Sequence, residues 1–155
     1  MANEETNAME EGIQVVAFKL RDEEYGLSIL NVQEIRNLTD ITRVPFSADF
    51  IKGVINLRGS VLPVIDLKQR LGLEQMPYTE KTRIVTVTVD DLHVGMLVDA
   101  VTEVINIDEK PVDPKKSVMG GKENGKFISG IGNMDGRLII MLDLHEIFGI
   151  PKEAK

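Results

Sequence analysis

The chain has 155 residues, a net charge of −7 and no cysteine, so disulfides, thiolate metal sites and cysteine nucleophiles are excluded. Four of the negative charges are glutamates in the first dozen residues, and this acidic balance argues against general nucleic-acid binding. No run of 18 apolar residues and no signal-peptide pattern is present. We therefore expect a cytoplasmic protein without direct membrane insertion, with residues 1–12 as a flexible acidic tail and residues 151–155 as a second tail.

Valine and isoleucine supply 32 residues, and this β-branched content favours strands. Taken in chain order, the pattern predicts strands at Val16–Leu20 and Tyr25–Ile29, joined by a turn of four residues. A tight turn at Asn56–Gly59 then leads into a buried strand at Leu62–Ile65 and a short helix. Pro63 lies within that strand and indicates a sheet edge or a bulge there.

The same elements are predicted a second time, because the sequence is duplicated. Phe50–Leu73 aligns without a gap with Phe127–Ile150, with eight identities in 24 positions, and Val15–Ile35 aligns with Ile84–Val104. Two similar halves, roughly residues 15–75 and 82–150, are expected. Residues that both copies share are expected to serve the scaffold, and residues that differ are better candidates for function.

Two aspartates that resemble catalytic carboxylates are explained better as helix caps. Asp66 and Asp143 each precede a short apolar segment that ends in glycine, Gly72 or Gly149. An Asp side chain at that position caps the start of a helix, and glycine ends it. Because both copies keep the whole pattern, a structural role is predicted.

The remaining motifs give little support for an enzyme or a cofactor. Gly120–Lys126 matches part of a phosphate-binding loop, but Phe127 replaces the Ser or Thr that would bind Mg²⁺ and is expected to begin a strand. His93 and His145 lack a second ligand at metal-binding spacing, so no metal site is predicted. The surrounding connector, residues 105–126, is expected to be an exposed loop. A nucleotide-binding enzyme remains the alternative hypothesis.

Arg58 is the residue that the duplication singles out. It lies at the tip of a predicted turn, where the second copy has Asp135, so the scaffold does not require arginine there. Its guanidinium is suited to pairing with a partner's carboxylate, although an ordinary solvated arginine is an equally good reading of the turn alone. Val32 and Glu34 are repeated as Val101 and Glu103, so a structural role must explain part of their presence at these positions.

Three segments carry a long and specific resemblance to a known family. They are Tyr25–Arg36 (YGLSILNVQEIR), Val44–Leu67 (VPFSADFIKGVINLRGSVLPVIDL) and Val94–Val104 (VGMLVDAVTEV). With these segments the chain resembles the CheW-type chemotaxis coupling proteins over about residues 13–150. The resemblance implies a mainly β fold with short helices, made of two SH3-like five-stranded β-barrels side by side. It leaves open whether the terminal strands are exchanged between the two halves.

The resemblance also implies a function. It implies a non-catalytic adaptor, without cofactor or metal, that links the cytoplasmic tips of methyl-accepting chemoreceptors to the regulatory domain of the histidine kinase CheA. The positions that match receptor-contact residues are Val32, Glu34, Arg58, Val98, Val101 and Val104. The positions near the expected kinase surface are Lys52, Gly53 and Leu57. Such a protein would be recruited from the cytoplasm to membrane-associated receptor arrays.

Two further alternatives are close to this reading. A regulatory fragment of a CheA-like kinase is one, although Met1 and the acidic leader favour a stand-alone chain. A coupling protein of a pathway other than flagellar motility is the other. Relatives that append a receiver domain are not expected, because no length remains after Ile150 to hold one.

Overall fold

The structure is a computed structural model that describes residues 13–45, 47–111, 126–134 and 136–149. The acidic tail, most of the Gly120–Lys126 motif and Asp135 lie outside the described residues. Its elements are β1 (Ile13–Leu20), β2 (Glu23–Ser28), a 3₁₀ turn (Ile29–Asn31), β3 (Val32–Asn37), β4 (Ile51–Leu57), β5 (Ser60–Asp66), α1 (Leu67–Leu71), β6 (Arg83–Val89), β7 (Leu92–Val98), β8 (Ala100–Pro111), β9 (Ile128–Met134), β10 (Arg137–Leu142) and α2 (Leu144–Phe148).

The strands form two five-stranded sheets. One has the order β1-β2-β10-β9-β8 and closes into a barrel, because β8 pairs with both β1 and β9. The other has the order β3-β6-β7-β5-β4 and is called here the open sheet, because its end strands β3 and β4 are not paired with each other. A single bridge between Thr42 and Val54 continues it beyond β4. The mainly β prediction is confirmed, whereas closure is seen in the first sheet alone among the described strands.

The two sheets do not coincide with the two sequence copies. The hairpin β1–β2 of the first copy pairs with β8–β10 of the second, and the hairpin β6–β7 of the second pairs with β3–β5 of the first. The chain therefore passes between sheets at two places, the 3₁₀ turn Ile29–Asn31 and the single residue Asp99. The open sheet is built from the continuous segment 32–98, which is inserted into the barrel.

Two repeated glycines lie where strands of the two copies pair with each other. Gly26 of β2 lies beside Met141 of β10 in a parallel pairing, and Gly95 of β7 lies beside Val64 of β5 in the equivalent pairing. A Cβ atom on Gly26 would lie 2.9 Å from Ile139 Cγ2, closer than real Cβ contacts come. The close approach of the two strands explains why both copies keep glycine at this position.

The core has three parts. A central cluster lies between the sheets and contains Phe18, Leu20, Val85, Val87 and residues of both helices. Smaller clusters fill the two sheets. The barrel cluster consists of Val15, Ala17, Ile105, Ile107, Ile139 and Met141, and the open-sheet cluster consists of Ile55, Leu62, Val64, Ile84 and Leu97. Burial of these aliphatic groups stabilises the fold by about 25 cal/mol per Å² of apolar surface.

The capping prediction is confirmed. The Asp66 carboxylate accepts a hydrogen bond from Gln69 N at the start of α1, and the Asp143 carboxylate accepts one from Glu146 N at the start of α2. Gly72 and Gly149 end the helices with φ of 80° and 71°, the left-handed conformation that glycine adopts at low cost. Asp66 is also buried and accepts a hydrogen bond from the Tyr78 hydroxyl at 3.0 Å.

Two local predictions were wrong. The turn after β1 has two residues, Arg21 and Asp22, instead of four, because β2 begins at Glu23. At Pro63 the expected sheet edge is present locally: β5 pairs there with β4 alone, because its ladder to β7 starts at Val64, so the missing N–H costs no sheet hydrogen bond. The connector expected from residue 105 starts later, because β8 continues to Pro111.

Candidate binding surface

A β-bulge sets the direction of the Glu34 side chain. The register of β3 against β6 shifts between Val32 and Glu34, so that Gln33 is the extra residue. A matching bulge in β8 leaves Thr102 as the extra residue before Glu103. Bulges bend a strand and re-aim the side chains that follow. The bulge is therefore common to both copies, and Glu34 and Glu103 acquire equivalent places in the two sheets.

Arg58 lies at the tip of the β4–β5 hairpin in an unusual backbone conformation. The two-residue turn Arg58–Gly59 has φ of 51° and 87°, and the Asn56 side chain accepts a hydrogen bond from Gly59 N at 3.0 Å. Positive φ at both positions favours Asn, Asp or Gly, and a residue with a long side chain is disfavoured there. The arginine is thus kept at a position where the backbone alone would select a smaller residue.

The Arg58 guanidinium forms an ion pair with Glu34 across the unpaired edges of the open sheet. Arg58 Nη2 contacts Glu34 Oε2, and Arg36 Nη1 lies 3.1 Å from Glu34 Oε1. The Arg58 side chain is 69% exposed, whereas that of Glu34 is 27% exposed. Hydrogen bonds from Arg58 first and Arg36 second hold the pKa of Glu34 below its ordinary value. Glu34 is therefore an anion shared by two cations, one of them presented to solvent.

The equivalent corner of the barrel has the opposite charge balance. Arg137 of β10 donates two 2.7 Å hydrogen bonds to the Glu24 carboxylate and lies 2.5 Å from Glu103. The bidentate pair with Arg137 lowers the pKa of Glu24, and the two carboxylates raise the pKa of Arg137. Two acids thus surround one base here, whereas two bases surround one acid at Glu34.

The four valines among the predicted receptor-binding residues differ in accessibility. Val32 and Val101, which are equivalent residues of β3 and β8, both pack against the central cluster from partly buried positions. Val104 is 48% exposed, while Val98 is 1% exposed and belongs to that cluster. The accessible apolar surface therefore comes from Val32, Val101 and Val104, whereas Val98 is part of the core beneath it.

The predicted kinase-contact residues all belong to β4, the first part of which borders a cleft of about 480 Å³. Lys52 lines this cleft and its Nζ lies 6.0 Å from the centre of the Tyr78 ring. Gly53 has φ of 150°, and a Cβ atom on it would overlap the carbonyl of Thr42, so its glycine is required by the scaffold. Leu57 is partly buried against the open-sheet cluster.

Two arginines near these residues were not recognised from the sequence. Arg36 pairs with Glu34, and its aligned residue in the second copy is the buried Ile105, a contrast that the repeat already contained. Arg70 of α1 donates hydrogen bonds to the carbonyl oxygens of Ile147 and Glu146 in α2. Comparing residue types at aligned positions would have found Arg36, whereas nothing in the sequence predicted the contact of Arg70 with the other helix.

The described residues contain no group of three or more His, Cys, Asp and Glu side chains arranged to hold a metal ion. A helix long and apolar enough to span a membrane is likewise absent from the part of the chain that the structure describes.

Comparison with known proteins identifies the family. The CheW-like domain model matches residues 14–151. The chain is 32% identical to the chemotaxis protein CheW of Rhizobium meliloti (strain 1021), over all of this chain and 98% of that one, and 37% identical to the chemotaxis protein CheW of Thermotoga maritima, over 86% of each. The crystal structure of the scaffolding protein TtCheW from Thermoanaerobacter tengcongensis matches with a TM-score of 0.80 at 36% identity, covering 93% of this chain and 97% of that one.

The fold, a five-stranded sheet inserted beside a five-stranded barrel, is thus shared with a chemotaxis scaffolding protein. The chain belongs to the CheW-like family of chemotaxis proteins.

Proposed function

We propose that this protein is a non-catalytic adaptor that couples methyl-accepting chemoreceptors to the histidine kinase CheA. In this proposal one surface binds the helical cytoplasmic tip of a receptor, a second surface binds the CheA regulatory domain, and the protein is recruited from the cytoplasm to receptor arrays. Family membership supports the chemotaxis role. The Arg58–Glu34 pair is the observation that carries the assignment of a binding surface.

The receptor surface would combine an apolar groove with a charged rim. Val32, Val101 and Val104 supply apolar area, and a receptor helix would place its apolar face against them. Arg58 and Glu34 would supply charge pairing at the rim, as is usual where a few residues dominate an interface. Val98 is buried, so it would support the packing of this surface and would not contact the receptor directly.

The kinase surface would lie on β4. Lys52 comes directly before Gly53, and Leu57 ends the strand. The cleft that adjoins the start of β4 is lined by Arg43 and Tyr78 in addition to Lys52. The Gly53 contact with Thr42 fixes the segment that forms one wall of this cleft, so Gly53 would act through the shape of the surface. A kinase surface on β4 and a receptor surface formed by β3, β8 and the Arg58 turn would allow both partners to bind together.

Titration calorimetry against an isolated CheA regulatory domain and against a receptor hairpin fragment tests the proposal. Saturable binding to both is expected. Arg58→Ala should weaken receptor binding by about 1–3 kcal/mol, in line with arginines that dominate other interfaces. Lys52→Ala should weaken kinase binding and leave receptor binding unchanged, which makes each variant the control of the other. Binding of the folded protein to neither partner, or unchanged receptor affinity of Arg58→Ala, would contradict the proposal.

A further inference from the structure

Arg36 occupies a position at which the other copy has a core residue. It lies on β3, and its aligned residue in β8 is Ile105, which is buried in the barrel cluster. The backbone of Arg36 pairs with Ile84, a member of the open-sheet cluster. Because the Arg36 side chain is 36% exposed, this position tolerates a charge, but a guanidinium where the other copy has a core isoleucine still needs a reason.

The side-chain contacts of Arg36 supply part of that reason. Its Nη1 lies 3.1 Å from Glu34 Oε1, while Arg58 takes the other carboxylate oxygen. Arg36 Nε is buried and has no hydrogen-bond partner among the described residues, so Arg36 is held less completely than a structural arginine usually is. Its side-chain hydrogen bond is directed at Glu34.

The barrel shows what the corner is like without this second base. There, Glu103 and Glu24 share the single guanidinium of Arg137. If Arg137 left, two carboxylates would lose their cation together. If Arg58 left Glu34, Arg36 would remain paired with it.

We propose that Arg36 is a positioning residue that keeps Glu34 paired, so that the exposed guanidinium of Arg58 is free to transfer to a carboxylate of the binding partner. This inference rests on the proposed receptor-binding role of Arg58. Arg58 lies at the tip of the turn, and its side chain is more exposed than that of Glu34, with which it forms the ion pair. Transfer to a partner then exchanges one ion pair for another and leaves no carboxylate unpaired.

A purely structural role for Arg36 is the competing explanation. β3 is an end strand of the open sheet, and inward-pointing charges on such strands prevent pairing with other chains. That role would make Arg36 variants self-associate. It would not make the effect of Arg36 on binding depend on Arg58.

A double-mutant cycle separates the two roles. Arg36→Met keeps the length and apolar stem and removes the charge, while Arg36→Lys keeps the charge and serves as the matched control. Receptor affinity of Arg36→Met should fall about fivefold in the wild-type background and less than twofold in the Arg58→Ala background, because the two residues act on one carboxylate. Arg36→Lys should stay within twofold of wild type. Affinity for the CheA regulatory domain should be unchanged in all variants.

Equal losses in both backgrounds, or full receptor affinity of Arg36→Met, would overturn the inference. A second measurement, made on the free protein, tests the role of Arg36 even if the proposed receptor-binding function fails. In the free protein, NMR relaxation of the Arg58 side-chain nitrogens should show a more rigid guanidinium in Arg36→Met, since Glu34 then has no other cation. If Arg58→Ala binds receptor normally, the receptor role is lost, and an unchanged Arg58 mobility in Arg36→Met would also overturn the role given to Arg36.

Discussion

Ile107 of β8 fills the inside of the barrel at a point where β9 offers no side chain, at Gly132. A Cβ atom on Gly132 would overlap Ile107 Cδ1 and lie 3.1 Å from its Cγ1. In the open sheet, Ile107 aligns with Leu38, which lies beyond the end of β3. Gly132 aligns with the buried Ile55 of β4. The bulky residue thus comes from β8 in the barrel and from β4 in the open sheet.

Gly132→Ala should therefore destabilise the barrel. The added methyl has no space unless Ile107 moves, and overpacking of this kind costs about 1–3 kcal/mol in the free energy of unfolding. Urea denaturation followed by circular dichroism measures the loss. Adding Ile107→Val should recover part of it, because the shorter side chain leaves room. Additive losses in the double variant would show that the two residues do not compete for one space.

The duplication predicted the elements better than their arrangement. The caps at Asp66 and Asp143 and the turns with Asn56 and Asn133 depend on nearby residues, which the sequence displays directly. The exchange of hairpins between the copies depends on contacts between distant strands, such as Gly26 with Met141, and the sequence alone left it open. Closure of one sheet likewise depends on contacts between distant strands, the pairing of β8 with both β1 and β9.

The candidate surface was predictable to a similar degree. Arg58 was recognisable because the other copy has Asp135 at that position. Its ion pair with Glu34 was not predictable, since it depends on the distance between two strands that do not pair with each other. The burial of Val98 also follows from the packing of both sheets against the central cluster.

Arg70 is predicted to hold the two halves of the structure together. Its guanidinium lies 4.4 Å from the Phe50 ring and 4.9 Å from the Phe127 ring, and its Nε donates to Ile147 O at 2.6 Å. These contacts join the segments before β4 and β9 with the end of α2, where a cation is favourable. Arg70→Ala should lower the free energy of unfolding by about 2–3 kcal/mol, mostly through hydrogen bonds of a charged donor.

Chemical denaturation of Arg70→Ala, Arg70→Lys and Arg83→Ala checks this role. Arg70→Lys should recover little, because an ammonium lacks the planar face that lies between two rings. Arg83→Ala is the matched control: its side chain donates to the carbonyl oxygens of Glu80 and Thr82, within three residues. A loss in Arg70→Ala no larger than in Arg83→Ala would contradict the role.

The two tyrosines are predicted to titrate at unusually high pH. Burial, followed by the nearby Glu23 carboxylate, raises the pKa of Tyr25 to about 12. Burial, followed by the Asp66 carboxylate, raises the pKa of Tyr78 as well. The folded protein thus keeps protons that the unfolded chain releases above its tyrosine pKa of about 10. The contribution to stability is complete below pH 10 and falls as the pH rises beyond it.

Absorbance at the tyrosinate band measures both groups without interference, because the chain has no tryptophan. Tyr25→Phe and Tyr78→Phe assign the two transitions. In urea the single remaining tyrosine of each variant should titrate near 10. A folded protein whose tyrosines both titrate at the unfolded value would show that neither ring is shielded from water as the structure has it.

The last prediction concerns the pH range over which Glu34 stays paired. Hydrogen bonds from Arg58 and then Arg36 lower the pKa of Glu34 from its ordinary value near 4.5. A carboxylate with a lowered pKa contributes its pairing above the unfolded value, and that contribution disappears as the pH falls through the folded value. Glu34 should therefore remain ionised below pH 4.5, and the Arg58 pair with it.

NMR titration of the Glu34 side-chain carboxyl carbon tests this directly. Arg58→Ala should move the pKa of Glu34 upward, and Arg36→Met should move it less, because Arg58 is the larger cause of the lowering. Molar salt should reduce the shift in the wild-type protein, since both partners are within reach of solvent. If Arg58→Ala leaves the pKa of Glu34 unchanged, the ion pair across the open edges of the sheet does not form in solution.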